Sequence, residues 1–399
     1  MRRSIPLGIV LAVVVSAGRP AAARSLESQL SGASQLVGIS SGSAFDALAQ
    51  NIADASARAL PIISSSAGFT YRYNPTLEVF ERTSESLGPL YLERPDTLGK
   101  GKFNVSVSFQ YVQFDAFDGT SLTKLQNKDP ILVNSFDANG NPIGTRPVRL
   151  RYSLGIQNYV TAVSATYGIT DDLDVNLLLP IVSTSLRVGV YSQPVTTTGA
   201  NAGPLAIGRD DGSAAGVGDI LLRGKYQLPR LGWLRSALGL QLGLPSGRMS
   251  DFQGTGDVEV SPFLYLSTVL WDRVEPHANL GIDYDASNLS QSAARYGLGV
   301  DVDVTKIFNV NVAYLGRSAF EPSASKQSTE FLHLHNGQSE LEPLLGLDFG
   351  RKDTSDLSFG FRVVVWGNLM VYANGIYAIN DSGLRNNTII PAGGIEGTF

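Results

Sequence analysis

The chain has 399 residues, no cysteine, 42 glycines, 17 Phe and 15 Tyr, and a formal net charge of -5. A pI near 5.3 argues against a nucleic-acid partner, which would need a basic stripe to release counterions, and the lack of cysteine removes disulfide frameworks and thiolate metal sites. Only 17% of residues are charged, below the roughly 25% of ordinary globular chains, yet mean hydropathy is +0.04; that pairing suits alternating strands better than apolar helices.

Residues 1–23 read as a secretory signal. Arg2 and Arg3 form a basic start, 5–15 is an apolar run, and Ala21-Ala22-Ala23 supplies a small-residue cleavage site, with cleavage expected after Ala23. The run is short for a bilayer span, and no later run is long enough to be a transmembrane helix. Residues 24–66 are rich in Ser, Ala and Gly, and Phe45, Leu48, Ile52 and Leu60 predict a helix over 44–60. The pattern Gly38-Ile39-Ser40-Ser41-Gly42 matches a hydrolase nucleophile motif by form. It lacks a preceding strand, so chance explains it better. Residues 67–100 mix aromatic residues with Pro and Gly and read as an extended lead-in, tucked into a barrel mouth or lumen. Together 24–100 form an N-terminal periplasmic or plug segment ahead of a strand-rich 101–399.

From Lys102 onward the chain alternates. Phe103, Val105, Val107, Phe109 and Tyr111 oppose Asn104, Ser106, Ser108 and Gln110. A polar loop at 119–147 leads to a strand over 149–169, a tight turn at Thr170-Asp171-Asp172, and a strand over 173–190. Along that strand the apolar phase shifts near Pro180, as a bulge or edge kink would produce. After a loop at 191–215 come hairpins 216–228/233–244 and 258–270/274–285. The pair Tyr296–Val304 and Phe308–Tyr314 then alternates strictly about Thr305-Lys306. A long connection at 318–355 precedes strands 357–365, 369–379 and 388–399. One face of each strand is apolar, and the other carries charge, amide and glycine.

In a soluble sandwich the apolar face would be inside; in an outer-membrane barrel it faces lipid and the polar face lines a lumen. Counting from Lys102 gives twelve strands, with every short turn on the side of both termini. Admitting 69–80 and 341–350 to the wall gives fourteen but breaks the alternation of short turns and long loops. The expected fold is therefore all-β, a transmembrane antiparallel up-and-down barrel of about twelve strands with a short helical and extended N-terminal segment. Trp271 and Trp366 sit at short turns, where an interfacial aromatic girdle would place them. The chain ends on Phe399, resembling the terminal aromatic read by barrel-assembly machinery, although Gly393 and Gly397 make that match partial.

Several stretches resemble the meta-pathway phenol-degradation family of outer-membrane proteins. They are SLGPLYLERPDTLGKGKFNVSVSFQYVQFDAFDG (86–119), YGITDDLDVNLLLPIV (167–182), GVGDILLRGKY (216–226), LPSG with GTGD (244–257), EPHANLGIDYD (275–285) and INDSGLR (379–385). The likeness spans about 67–399. It implies a barrel and a transport role associated with aromatic-compound catabolism, and it carries over no catalytic set, so no enzyme and no cofactor is expected.

The strand 216–228 puts Asp219, Arg223, Lys225 and Gln227 on the face opposite Ile220, Leu222 and Tyr226. Lumen charges of this kind bias which solute passes; equally, they form a salt-bridge ladder fixing neighbouring strands. The same face logic assigns His277, Asn279, Asp283, Asp285, Arg295, Asp301, Asp303 and Arg362 to the lumen. His333 and His335 are the one metal-like pair, with Glu330 or Asp348 as third-ligand candidates, and two nitrogens alone make a weak site. The expected function is passive uptake of small, hydrophobic or aromatic molecules through an outer-membrane channel, with outer-membrane lipid, the barrel-assembly machinery and a small solute as partners. The alternatives are a closed structural or adhesive barrel acting through long external loops, and a barrel-borne lipid-modifying enzyme.

Overall fold

The computed structural model describes residues 24–37, 43–65, 68–74, 79–82, 87–136, 142–286, 289–320, 330–335, 338–347 and 352–399. The signal at 1–23, the pattern at 38–42 and Asp348 lie outside the described residues.

Period-2 alternation becomes a closed antiparallel barrel of twelve wall strands. In chain order they are β1 Phe103–Phe114, β2 Pro142–Gly168, β3 Leu173–Pro194, β4 Ala206–Val217 continued by Ile220–Gln227, β5 Arg235–Leu244 and β6 Glu259–Ser267. The second half is β7 Val274–Asp285, β8 Ala293–Thr305, β9 Phe308–Ala319, β10 Thr354–Trp366, β11 Leu369–Ala378 and β12 Ile390–Thr398. Each strand pairs with the next, and β12 closes on β1 through Ala392↔Gln110 to Thr398↔Asn104. Phe399 completes that seam: its amide donates to the Phe103 carbonyl at 2.7 Å and its carbonyl accepts from the Phe103 amide at 3.0 Å.

The faces are those of a lipid-embedded barrel. Phe103, Phe109, Leu177, Leu222, Leu240, Leu298, Val312 and Phe361 are exposed on the outside, while Asn104, Ser108, Asn176, Lys225, Asp301 and Arg362 are buried inside. Trp233, Trp271 and Trp366 all stand at short turns and are 75%, 81% and 81% exposed, so the girdle expected of two tryptophans is made by three.

Two features depart from the sequence reading. The loops expected at 119–147 and 191–215 are largely strand: β2 runs for 27 residues, β3 for 22, and Ile131–Phe136 pairs along β2. A barrel strand needs about 9–11 residues to cross a bilayer, so β2 and β3 extend well past the membrane on the long-loop side. A further hairpin, Glu330–His335 with Gln338–Pro343, folds within the expected connection 318–355. The phase shift at Pro180 is also different in kind. β2 and β3 pair without interruption from Gly168↔Asp174 to Val148↔Pro194, so β3 carries no bulge. The irregularity is in β4, whose register against β3 slips by one between Val217↔Ile181 and Leu221↔Leu178. Hydropathy shifts because the surroundings change. Below Pro180 the apolar residues Val175 and Leu177 meet lipid; above it Val182, Leu186, Val188 and Val190 point inward into an apolar core.

That core joins the N-terminal segment to the barrel. The expected helix is present as Ser43–Arg58 (α2), and a second, Leu26–Gln35 (α1), precedes it. Ser25 caps α1 by accepting from the Ser28 amide. Leu26, Leu30, Leu48 and Ile52 pack with Phe114, Phe117, Leu125, Leu150, Tyr152, Leu186, Leu345 and Leu384, so the upper lumen is filled as a soluble core would be. The described chain thus begins at the long-loop end, whereas the wall begins and closes at the short-turn end. Between the two, residues 59–65 and 68–71 lie along the inner wall: Thr166 donates to the Ser65 carbonyl at 3.2 Å, and Phe69 packs on Leu87 and Met370. Tyr71–Asn74 pairs with Val79–Arg82 in a small hairpin, and 87–98 returns along the inner wall to enter β1.

Candidate functional site, a chamber in the lumen

Between the end of α2, residues 91–93 and the inner wall lies a cavity of about 430 Å³, within the size range of ligand pockets. Its roof includes Arg58 and Ile62, its floor Tyr91 and Glu93, and its wall Arg223, Gln241, Phe263, Tyr265, Arg295 and Arg317.

Most of the lumen residues expected from sequence grip the N-terminal segment or one another. Lys225 donates to the Arg94 carbonyl at 3.2 Å and lies 3.9 Å from Glu93. Asn279, with its amide nitrogen turned to donate, meets the Glu93 carbonyl at 2.9 Å and accepts from the Glu93 amide at 2.7 Å. Arg362 donates to the carbonyls of Leu87 at 2.9 Å and Pro89 at 2.7 Å, and pairs with Glu396 at 3.1 Å. Arg58 of α2 pairs with Asp257 at 3.1 Å and Asp285 at 2.9 Å. Arg295 pairs with Asp283 at 2.8 Å, which Arg317 also approaches at 3.7 Å. Asp301 holds His277 at 2.9 Å, and Asp303 accepts from Asn309 at 2.8 Å. Asp219 binds the Gly247 and Thr255 amides at 3.0 and 2.7 Å, bracketing the loop beside the β4 slip. Pairing between neighbouring strands, the ladder expected from sequence, holds for Asp283 with Arg295, Asp301 with His277 and Asp303 with Asn309, whereas Lys225, Asn279, Asp285 and Arg362 hold the N-terminal segment.

Arg223 differs. Its Nε donates to Gln241 Oε1 at 3.0 Å, while its Nη1 and Gln241 Nε2 are buried without a hydrogen-bond partner among the described residues. Beside them two rings lie against the wall. Tyr265 occupies the space where a Cβ of Gly239 would stand, and Phe263 does the same at Gly281. Their planes are 14° apart with centroids at 5.6 Å, and the Arg295 guanidinium lies 5.5 Å from the Phe263 centroid. Sequence reading missed Phe263, Tyr265, Gln241, Arg58 and Glu93. Face parity places Phe263 and Tyr265 inward, and Gly239 and Gly281 on the same lumen face are the signal that could have found the shelf.

The histidine pair does not form a joint site. His333 is buried, with Nε2 3.3 Å from Asn127 Nδ2 and Nδ1 3.8 Å from Glu342; His335 is exposed and pairs with Asp129 at 3.1 Å. Among the described residues no group of three His, Asp or Glu side chains could hold a metal ion.

The family model described as "Putative MetA-pathway of phenol degradation" matches residues 133–319. That stretch is just under half of the chain, and over it the chain is similar to this family. Four of the six motifs fall inside the matched stretch, and those at 86–119 and 379–385 lie outside it. No curated protein matches the sequence. Among solved structures, an outer membrane channel from Pseudomonas putida F1 aligns with TM-score 0.45 and 11% identity, covering 77% of this chain and 99% of that one. A FadL homologue of Pseudomonas aeruginosa gives 0.33 at 11% identity, over 75% and 89% of the two chains. CymD, described as a monoaromatic hydrocarbon channel, gives 0.32 at 11%, again over 75% and 89%. Overlaps this slight say nothing of what this barrel carries. The closed wall with its lipid-type exterior is that of an outer-membrane β-barrel.

Proposed function

We propose that the protein is an outer-membrane channel for passive uptake of small hydrophobic or aromatic molecules, with residues 24–100 acting as its plug. The observation that carries this is the chamber: a cavity inside a lipid-exposed barrel, between the N-terminal segment and a wall bearing both aromatic and cationic groups. A barrel serving only as a structural post gains nothing from a cavity, since voids forfeit packing. The plug would set the pore's selectivity, because the barrel's own side chains do not fill the lumen at this level. Cleavage after Ala23 and delivery by the barrel-assembly machinery through the strand ending in Phe399 belong to the same proposal.

The test is solute flux into liposomes carrying the refolded protein, with and without residues 24–66, using sugars, ions and phenol. A flux that favours phenol in the full chain, and rises for all solutes on truncation, is the expected result. Folded protein that passes nothing in either form would overturn the channel reading in favour of an adhesive barrel.

A further inference from the structure

We propose that the shelf of Phe263 and Tyr265, with Arg223 at its edge, binds small planar aromatic carboxylates; this rests on the chamber being part of a solute path. The first observation is the open donors. Neighbouring wall cations are engaged: Lys225 on the Arg94 carbonyl, Arg295 on Asp283, Arg362 on Glu396. Arg223 has only a neutral amide at Nε, and its Nη1 and Gln241 Nε2 await acceptors in the chamber wall. Glu93, on the chamber floor, meets the Ser65 amide and Lys225. A guanidinium edge and an adjacent amide N–H together suit the two oxygens of a carboxylate, which takes charge-assisted hydrogen bonds of about twice the strength of neutral ones.

The second observation is independent of charge. Gly239 and Gly281 leave room for two rings to lie against the wall, so that their faces border the chamber instead of their edges. Arg223 pairs across the sheet with Gln241, and Gly239 and Ala237 follow on the same strand opposite Phe263 and Tyr265. A carboxylate on Arg223 thereby places an attached ring over that shelf. Aromatic faces prefer offset stacking, which selects a planar ring over a flexible alkyl chain. Arg295, already neutralised by Asp283, closes the far side over Phe263.

The experiment is titration calorimetry on the refolded full chain in detergent with benzoate, benzyl alcohol and octanoate. Benzoate is expected to bind at least about tenfold more tightly than benzyl alcohol, since one charge-assisted bond accounts for that ratio. Arg223→Gln should abolish the difference and leave benzyl alcohol unchanged, and Arg223→Lys should restore part of it. Phe263→Leu should weaken benzoate more than octanoate. Retained folding of each variant is read from heat-modifiable gel mobility. Equal binding of benzoate and benzyl alcohol, or benzoate affinity unmoved by Arg223→Gln in folded protein, overturns the carboxylate site. Octanoate matching benzoate overturns the aromatic part. Because binding is read without flux, a carboxylate preference without transport would sink the channel proposal alone, and transport without that preference would sink only this one.

Discussion

Arg362 shows how one side chain can hold two parts of the molecule together. It is 2% exposed, and its donors meet two carbonyls of the returning segment and one carboxylate of the closing strand. Glu396 in turn accepts from the Gly68 amide at 2.5 Å and from Asn104 at 3.0 Å, so the seam strand, the segment and β10 share one charge pair. Breaking a buried pair by removing one partner leaves the other charge uncompensated, at a cost of about 3–5 kcal/mol. Arg362→Leu is therefore expected to lower the urea unfolding midpoint and to open residues 87–98 to limited proteolysis; a variant as resistant as wild type would refute the clamp. Gly239 supplies the reciprocal case. A methyl group there takes the space of the Tyr265 ring, so Gly239→Ala should displace the ring at a cost of about 1–3 kcal/mol and leave the barrel closed. Unaltered binding of a ring ligand by this variant would show that the shelf is not used.

At the scale of elements, the external hairpin Glu330–His335/Gln338–Pro343 meets the barrel, among the described residues, through one strand pairing, His333↔Ile131, through the Leu334 amide donating to the Pro130 carbonyl at 2.8 Å, and through His333 and His335 on Asn127 and Asp129. Burial lowers His333 below its usual 6.5, against the Glu342 and Asp129 carboxylates that raise it. With the folded value lower, the undocked form takes up its proton first as pH falls. Docking is thus complete above about pH 6.5 and is lost as pH drops through the lowered value. Hydrogen exchange of the Leu334 amide, corrected for intrinsic rate, should quicken between pH 7.5 and pH 5, and His333→Gln should flatten that dependence. A pH-independent wild type would refute it.

For the whole molecule, two kinds of interior sit one above the other. In the membrane zone the lumen is polar and cross-linked by charge; above it, α1 and α2 complete an apolar core with the long strands β2 and β3. Wall pairing runs unbroken around the twelve strands without any contribution from the described residues of 24–66, so deleting that segment should leave a closed barrel that still shows heat-modifiable mobility. Its melting temperature should fall, because Leu26, Leu30, Leu48 and Ile52 no longer cover Leu150, Leu186 and Val188; burial of each such side chain is worth roughly 1.5–3 kcal/mol. An unchanged melting temperature would mean that the helices rest on the barrel without stabilising it.

Strand identity, face and number were legible in the sequence because a lipid-exposed strand must alternate with period 2, and residues such as Leu298, Asp301 and Val304 obey that rule one by one. The lumen assignment of Arg223, Asp283, Asp301 and Arg362 follows from the same parity. Parity says which way a side chain points and nothing about what it meets across the lumen. That Lys225 and Arg362 hold backbone carbonyls of 87–94, that Arg58 reaches Asp285, and that Arg223 and Gln241 keep open donors in the chamber wall depend on residues far apart in the chain. Local pattern carries no trace of them. The apparent kink at Pro180 has the same origin: β3 is regular, and its hydropathy changes phase because lipid gives way outside just where a helical core begins inside. Sequence by itself determined the wall, since each strand's solvent is written in its own alternation. Only the tertiary structure decided what fills the lumen, since that depends on where an N-terminal segment of ordinary composition comes to rest.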